Sequence, residues 1–321
     1  MKFSIFRISL IATASLLPLS LLAIIVFLAL YSWPAIQYNA FHFLWINDWN
    51  LGNLYGNPIT QHGQQIMPGA HYGIWFLVVG TLSSSFIALL LALPLGVGSA
   101  IFLSEGLPRT WGTLLSLFVD LLASIPSVVY GLWGYAVLVP FLAKHVYPSM
   151  AHILSFNSFF GGQPGTGYGL LTTSIVLAIM MVPLISATLR ETMNMTDPAL
   201  KEAGRSLGMS RFQVIWHIVL PNLRTVLMGV SILALGRALG ETMAVLMVSG
   251  NALNYLPDNI YSPISTMASF IASQLDSALQ DPTGMAVRAL SEIALVLLLI
   301  AVIVNIVARL MLWKRGYIHG Q

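Results

Sequence analysis

Cysteine is absent from the 321 residues, and only 8% of them are charged. The first absence removes disulfide frameworks, cysteine zinc sites, thiol nucleophiles and iron–sulfur clusters from consideration. The second excludes an ordinary soluble domain, in which about 25% of residues carry charge. A phosphate-binding G-x-x-x-x-G-K-[ST] is also lacking. None of the four lysines, Lys2, Lys144, Lys201 and Lys314, follows a glycine, so this chain has no P-loop of its own for ATP. The seven histidines form no H-E-x-x-H pair and no G-x-S-x-G occurs. Catalysis, a resident metal or cofactor and nucleic-acid binding are therefore not expected of this chain.

Hydrophobic residues make up 57% of the chain and fall in long uncharged runs. These runs exceed the roughly 10-residue alternating segments of a membrane barrel, so the expected class is an all-α polytopic bundle. Six runs of spanning length are visible: Ile8 to Trp33, Ile74 to Leu103, Trp111 to Ala143, Leu170 to Leu189, Val226 to Ser249 and Ala289 to Leu312. The first is longer than the roughly 7–15 apolar residues of a secretory signal and lacks a clear cleavage site, so it reads as a retained span. The third holds Asp120, Pro126 and Pro140 and fits one broken helix or a hairpin of two. Counted as one crossing, it puts Lys2, Arg7, Arg109, Arg190, Lys201, Arg205, Arg211, Arg224, Arg309, Lys314 and Arg315 on one side, and only Lys144 and Arg288 on the other. The positive-inside rule makes the crowded side cytoplasmic, with both termini there. The outer segments are aromatic (Trp45, Trp49, Tyr55, Tyr72) or mildly acidic (Asp258, Asp276, Asp281). The glycine cluster Gly161, Gly162, Gly165, Gly167 and Gly169 reads as a flexible outer connector.

Between the fourth and fifth spans lies EAGRSLGMSRFQVIWHIVLPNL, Glu202 to Leu223. Asp197 and Pro198 suit a helix start and Gly208 its end. Ser210 can cap a second helix with Phe212, Ile215 and Trp216 on its apolar face, before Pro221 leads into the fifth span. In that span, GRALGETMAVLMVSGN carries Arg237 at its centre and Glu241 one turn on. Each costs about 2.5–3.5 kcal/mol at mid-bilayer, so both are expected to face the bundle interior, paired or wetted. A mutually neutralising i,i+4 pair, packed through Gly236 and Gly240, is the structural alternative to a transport path. Asp120 and Glu292 suit either the path or a helix-to-helix hydrogen bond. Ser124 and Ser127 flank Pro126, where a broken helix exposes donors.

Glu202, Ala203, Gly208, Ile218, Leu220 and Pro221 match, at every spacing, the EAA loop of ABC-importer permeases, with Gly204 standing where that pattern prefers alanine. Together with GRALGETMAV, SWPAIQ, LSEGLPR, LLASIPSVVYGLWG and AIMMVP, the chain resembles the PstC-type permeases of high-affinity phosphate importers over nearly its whole length. The resemblance implies the MetI-like permease fold, with a first helix and outer loop over 1–73, a transmembrane domain over 74–312 carrying the coupling loop 197–224, and a cytoplasmic tail over 313–321. It implies a bacterial inner-membrane complex with a PstA-type companion permease, two PstB-type ATPase subunits that hold ATP and Mg, and a periplasmic phosphate-binding protein. The loop would dock in a groove of the ATPase. Phosphate would pass Arg237 and Glu241, with Asp120, Ser124, Ser127 and Glu292 beside the path. A permease for sulfate or molybdate, or a non-transporting membrane receptor or scaffold, is the alternative.

Overall fold

The computed structural model describes the backbone of residues 2–195 and 197–316, and their side chains except those of residues 2–5, 109, 308 and 311–316. The side chains of Lys2, Arg109, Lys314 and Arg315, and the tail from residue 317, lie outside the described residues. Two compact units divide the chain: one takes the chain up to Trp75 and Ile271–Leu299, the other Phe76–Phe270 and the chain from Ile300.

In the first unit, α1 (Lys2–Asn39) is apolar on every side, and none of its most apolar 18-residue window is buried. A helix apolar all round and unburied is one built to face lipid. Pro18 and Pro34 sit inside it, which spans tolerate better than soluble helices do. After one turn, His42–Trp45, the outer loop forms two antiparallel ladders. β1 (Trp49–Asn50) pairs with β4 (His71–Tyr72), and β2 (Ile59–Gln61) pairs with β3 (Gln64–Ile66). The β2–β3 turn puts His62 at φ 50° and Gly63 at φ 76°, the two positive values that a tight two-residue hairpin needs. The unit closes with the end of α10 (Met267–Ala278) and the first part of α11 (Met285–Gly316). Asp281 is buried rather than lying at an interface. Its carboxylate accepts from the Thr283 and Ala286 backbone N–H groups, both at 2.9 Å, and so starts α11.

The second unit runs through α2 (Trp75–Ile101), which continues in a wider turn to Gly106, then α3 (Arg109–Ser124), α4 (Ser127–Trp133, helical on to Ile153) and α5 (Leu170–Met195). The loop helices α6 (Pro198–Ser206) and α7 (Arg211–Val214, helical on to Asn222) follow, then α8 (Arg224–Leu239) and α9 (Met243–Val248). The most apolar window of α5 is 72% buried, far above any other candidate span, so α5 is the hub of this unit. Leu177, Met181, Ile185 and Leu189 of α5 meet Ala88, Ala92, Val230 and Ala234 in one core. Small residues let the backbones approach, as membrane helix packing requires. A Cβ on Gly96 would stand 2.6 Å from Ile185 Cγ2, and Ser186 donates to Ser99 at 3.1 Å.

Among the described residues, five helices are long and apolar enough to cross a membrane: Phe6–Asn39, Trp75–Gly106, Ser127–Ile153, Leu170–Met195 and Met285–Val307. The pair Arg211–Asn222 and Arg224–Leu239, bent by 66°, makes a possible sixth. The third run differs from its sequence bounds. It breaks at Pro126, and the spanning half reaches ten residues further, to Ile153, leaving α3 as a shorter helix of 16 residues. The glycine cluster is packed, not loose: a Cβ on Gly167 or Gly169 would come within 2.4 or 2.5 Å of the carbonyls of Val139 and Ser262, and both have positive φ.

Candidate functional site

Two breaks in apolar helices shape the site. Pro126 has no N–H, so the Leu122 carbonyl loses its normal partner one turn later. The Ile125 N–H takes it at 3.3 Å and the Tyr130 hydroxyl at 2.8 Å. Ile125 turns extended before the proline, and α4 restarts at Ser127. Ser124 is exposed and turned back on the Leu121 carbonyl at 2.7 Å, while Ser127 stands half-buried at the new helix start. Ser124 is thus the exposed one of the two but has its hydroxyl engaged by its own helix, and Ser127 is the more buried.

The second break separates α8 from α9 at Gly240, Glu241 and Thr242. Glycine is, after proline, the poorest helix former, and it allows the chain to leave the helix here. Arg237 is in the last turn of α8, whereas Glu241 lies beyond the helix end and accepts the Ala244 N–H at 3.4 Å. The i,i+4 ion pair is therefore not formed, because no continuous helix joins the two residues. The ion pairs of the described residues, Arg190–Asp120 and Lys201–Glu105, leave Arg237 out. Arg237 is exposed, turned away from the interior of its own chain, while Glu241 is half-buried. Tyr130 stands within electrostatic reach of Arg237. The breaks are held together by α4 and α9, which pack so closely that a Cβ on Gly131 would meet Ala244 Cα at 2.8 Å.

Asp120 and Glu292 sit elsewhere. Arg190, near the end of α5, donates to both oxygens of Asp120 at 3.0 and 2.9 Å, so this carboxylate ties α3 to α5. Glu292, in the first unit, is 5% exposed and accepts from Asn39 Nδ2 at 2.8 Å, joining α11 to α1. Each carboxylate thus makes a helix-to-helix hydrogen bond. Tyr130, Arg190, Glu105 and Lys201 escape the sequence reading. Tyr130 has a local signal, a hydroxyl four residues after a proline that frees a carbonyl. The ion-paired residues have none, being separated by 70 and 96 positions.

The loop between α5 and α8 has the two helices expected. Asp197 accepts from the Ala199 N–H at 2.9 Å, Gly208 turns the chain at φ 82°, and Ser210 and Gln213 form a reciprocal capping box. Glu202 and Ala203 are exposed on α6. The face of α7 that packs on the chain is Val214 and Val219, with Ile218 half-buried, whereas Phe212 and Trp216 stack on each other and are 70% and 57% exposed. Leu220 and Pro221 lie in the last turn of that helix, just before the break at Leu223 that leads into α8. Gly204 is buried, and a Cβ there would lie 2.5 Å from Ile218 Cδ1. An alanine at 204 would require the end methyl of Ile218 to move aside. Lys201 of α6 pairs with Glu105 at the end of α2, tying the loop to the bundle.

Residues 92–312 match the family described as binding-protein-dependent transport system inner membrane component. The "Phosphate transport system permease protein PstC 1" of Mycobacterium tuberculosis is 42% identical over 278 residues, covering 86% of this chain and 82% of that one. The PstC phosphate permeases of Pasteurella multocida and Haemophilus influenzae are 38% and 34% identical, covering 92% and 99% of this chain and 87% and 95% of theirs. Among solved structures, a bacterial alginate importer has a TM-score of 0.51 at 19% identity, over 74% of this chain and 80% of that one. An inward-facing MetNI methionine transporter has 0.50 at 15%, over 75% and 94%. These last two speak for the fold alone. With matches of this reach, the chain belongs to the inner-membrane component family of binding-protein-dependent transport systems, and within it to the PstC permeases.

Proposed function

We propose that this chain is the permease subunit that carries inorganic phosphate inward for an ATP-driven importer of the bacterial inner membrane. The observation that carries the reading is Arg237, a cation within an apolar segment, exposed on its own chain and outside the ion pairs of the described residues. A hydrated dianion entering a low-dielectric path needs compensating charge and donors, held loosely enough to let it go. Arg237 supplies the charge and planar donors. Tyr130, within electrostatic reach of that charge, adds a dipole, and Ser127 stands three residues before it at the restart of α4. Glu241 accepts a hydrogen bond from the hydroxyl that HPO4 carries and sulfate lacks, which favours phosphate over sulfate and molybdate.

The exposed face of Arg237 suits a path closed by a second, PstA-type permease. ATP and Mg belong to separate PstB-type ATPase subunits, which receive the α6–α7 loop around Glu202, Ala203 and Gly208, with both termini on that cytoplasmic side. A periplasmic binding protein delivers the anion. The complex reconstituted in vesicles with ATP enclosed on the ATPase side should accumulate phosphate and not sulfate or molybdate. Equal uptake of all three would replace phosphate specificity with general oxyanion transport, and a complex without ATPase or uptake would favour a receptor or scaffold.

A further inference from the structure

A second anion-compatible site lies on the outside of the bundle, where α7 meets the end of α2. Gly98, Ile101, Phe102, Glu105 and Gly106 form one wall of an open groove of about 460 Å³, and Arg211, Phe212 and Ile215 form the other. Its walls are chiefly apolar, and Phe102 is 55% exposed beside it. The one carboxylate in the wall, Glu105, is engaged by Lys201. Arg211 is exposed and in neither ion pair of the described residues, so it is the uncompensated charge at the groove.

The helix that bears Arg211 has the geometry of a surface-lying element. Residues 211–222 are bent by 66° from α8, so they turn off the axis of that span. Three flanks follow from its spacing. Val214 and Val219 face the chain, Gln213 and His217 are exposed polar residues, and Phe212 and Trp216 form an exposed aromatic stack. An aromatic flank beside a polar one is the pattern of an interfacial helix, whose rings sit at headgroup depth. Basic pockets beside spanning helices bind anionic headgroups.

We propose that this groove binds one anionic phospholipid, with an acyl chain along Phe102, Ile101 and Phe212 and the headgroup phosphate on Arg211. The proposal rests on the membrane spans and on no part of the transport reading. It anchors the second helix of the loop in the leaflet and leaves the exposed residues of α6 free for a protein partner.

The test uses the intact complex, purified in detergent and titrated with dioleoylphosphatidylglycerol or dioleoylphosphatidylcholine, with retained lipid counted by native mass spectrometry. The wild-type complex should retain phosphatidylglycerol about fivefold better at one site, the effect of one basic residue near an anionic headgroup. Arg211→Gln should remove that preference, lowering phosphatidylglycerol retention more than phosphatidylcholine retention. Phe212→Ala with Trp216→Ala should lower retention of both lipids. Arg205→Gln, on the exposed side of α6 outside the groove, should change nothing, and millimolar inorganic phosphate should not displace the lipid. An undiminished preference in the Arg211→Gln complex would overturn the proposal. So would release of the lipid by inorganic phosphate, which would mark a simple ion site. Because lipid retention is read without uptake, failure here leaves the phosphate reading standing, and failure of uptake leaves this one.

Discussion

Single residues here are set by what stands against them more than by their own preference. Alanine at position 204 would favour α6 by about 1 kcal/mol of helix propensity, yet its Cβ would crowd Ile218 Cδ1. Gly204→Ala alone should therefore gain little or lose thermal stability, whereas adding Ile218→Val should release the gain. If Gly204→Ala adds nothing in the Ile218→Val background, this contact does not explain the glycine. Glu292 is open to a similar test. Gln can accept the Asn39 hydrogen bond as a carboxylate does, so Glu292→Gln should keep full uptake and melting temperature. Glu292→Leu strands the buried Asn39 amide at a cost of about 1–3 kcal/mol, read as lower stability of the complex. A Glu292→Gln complex that is stable but inactive would return this residue to the anion path. The sequence could place Glu292 early in the last span but could not pair it with Asn39 across 253 positions.

At the scale of elements, the helices that fail to run on are the informative ones. Pro126 announces its break in sequence, because a missing N–H and a restricted preceding residue act locally. The caps of α6 and α7 were legible for the same reason, with Asp197, Gly208 and Ser210 each doing what its type does at a helix end. The break at Gly240 was not legible. GRALGETMAV reads as uninterrupted helix; Gly240 permits the departure, but only the structure shows it taken, with α9 packed closely on α4 at Gly131. Nor could periodicity alone tell which apolar flank of α7 is buried, since Val214 and Phe212 both belong to stripes of helical spacing. Gly131→Val should force α4 from α9. The altered complex is expected to assemble poorly or, if it assembles, to lose at least tenfold in phosphate uptake. Normal uptake with wild-type stability would mean that the close approach of these helices is not needed.

For the whole molecule, orientation and the path of charge are the two properties that matter. The skew of positive residues predicts which loops face the cytoplasm, and the lack of native cysteine lets this be read residue by residue. Tyr55, fully exposed in the outer loop, and Ser206, exposed on α6, are suitable positions. Tyr55→Cys in intact cells should react with an impermeant thiol reagent from outside, and Ser206→Cys should react only after the membrane is opened. Labelling of Ser206→Cys in intact cells would invert the topology and remove the ATPase from this loop. The central claim is that Arg237 carries the charge of the substrate across, and ATP-driven uptake of radiolabelled phosphate by vesicles holding Arg237→Gln or Arg237→Lys complexes tests it most directly. Both complexes should assemble with their partners. The lysine form keeps a charge without the planar fork and should retain partial uptake at best, while the glutamine form should retain none; full uptake by the Arg237→Gln complex would place the anion path elsewhere.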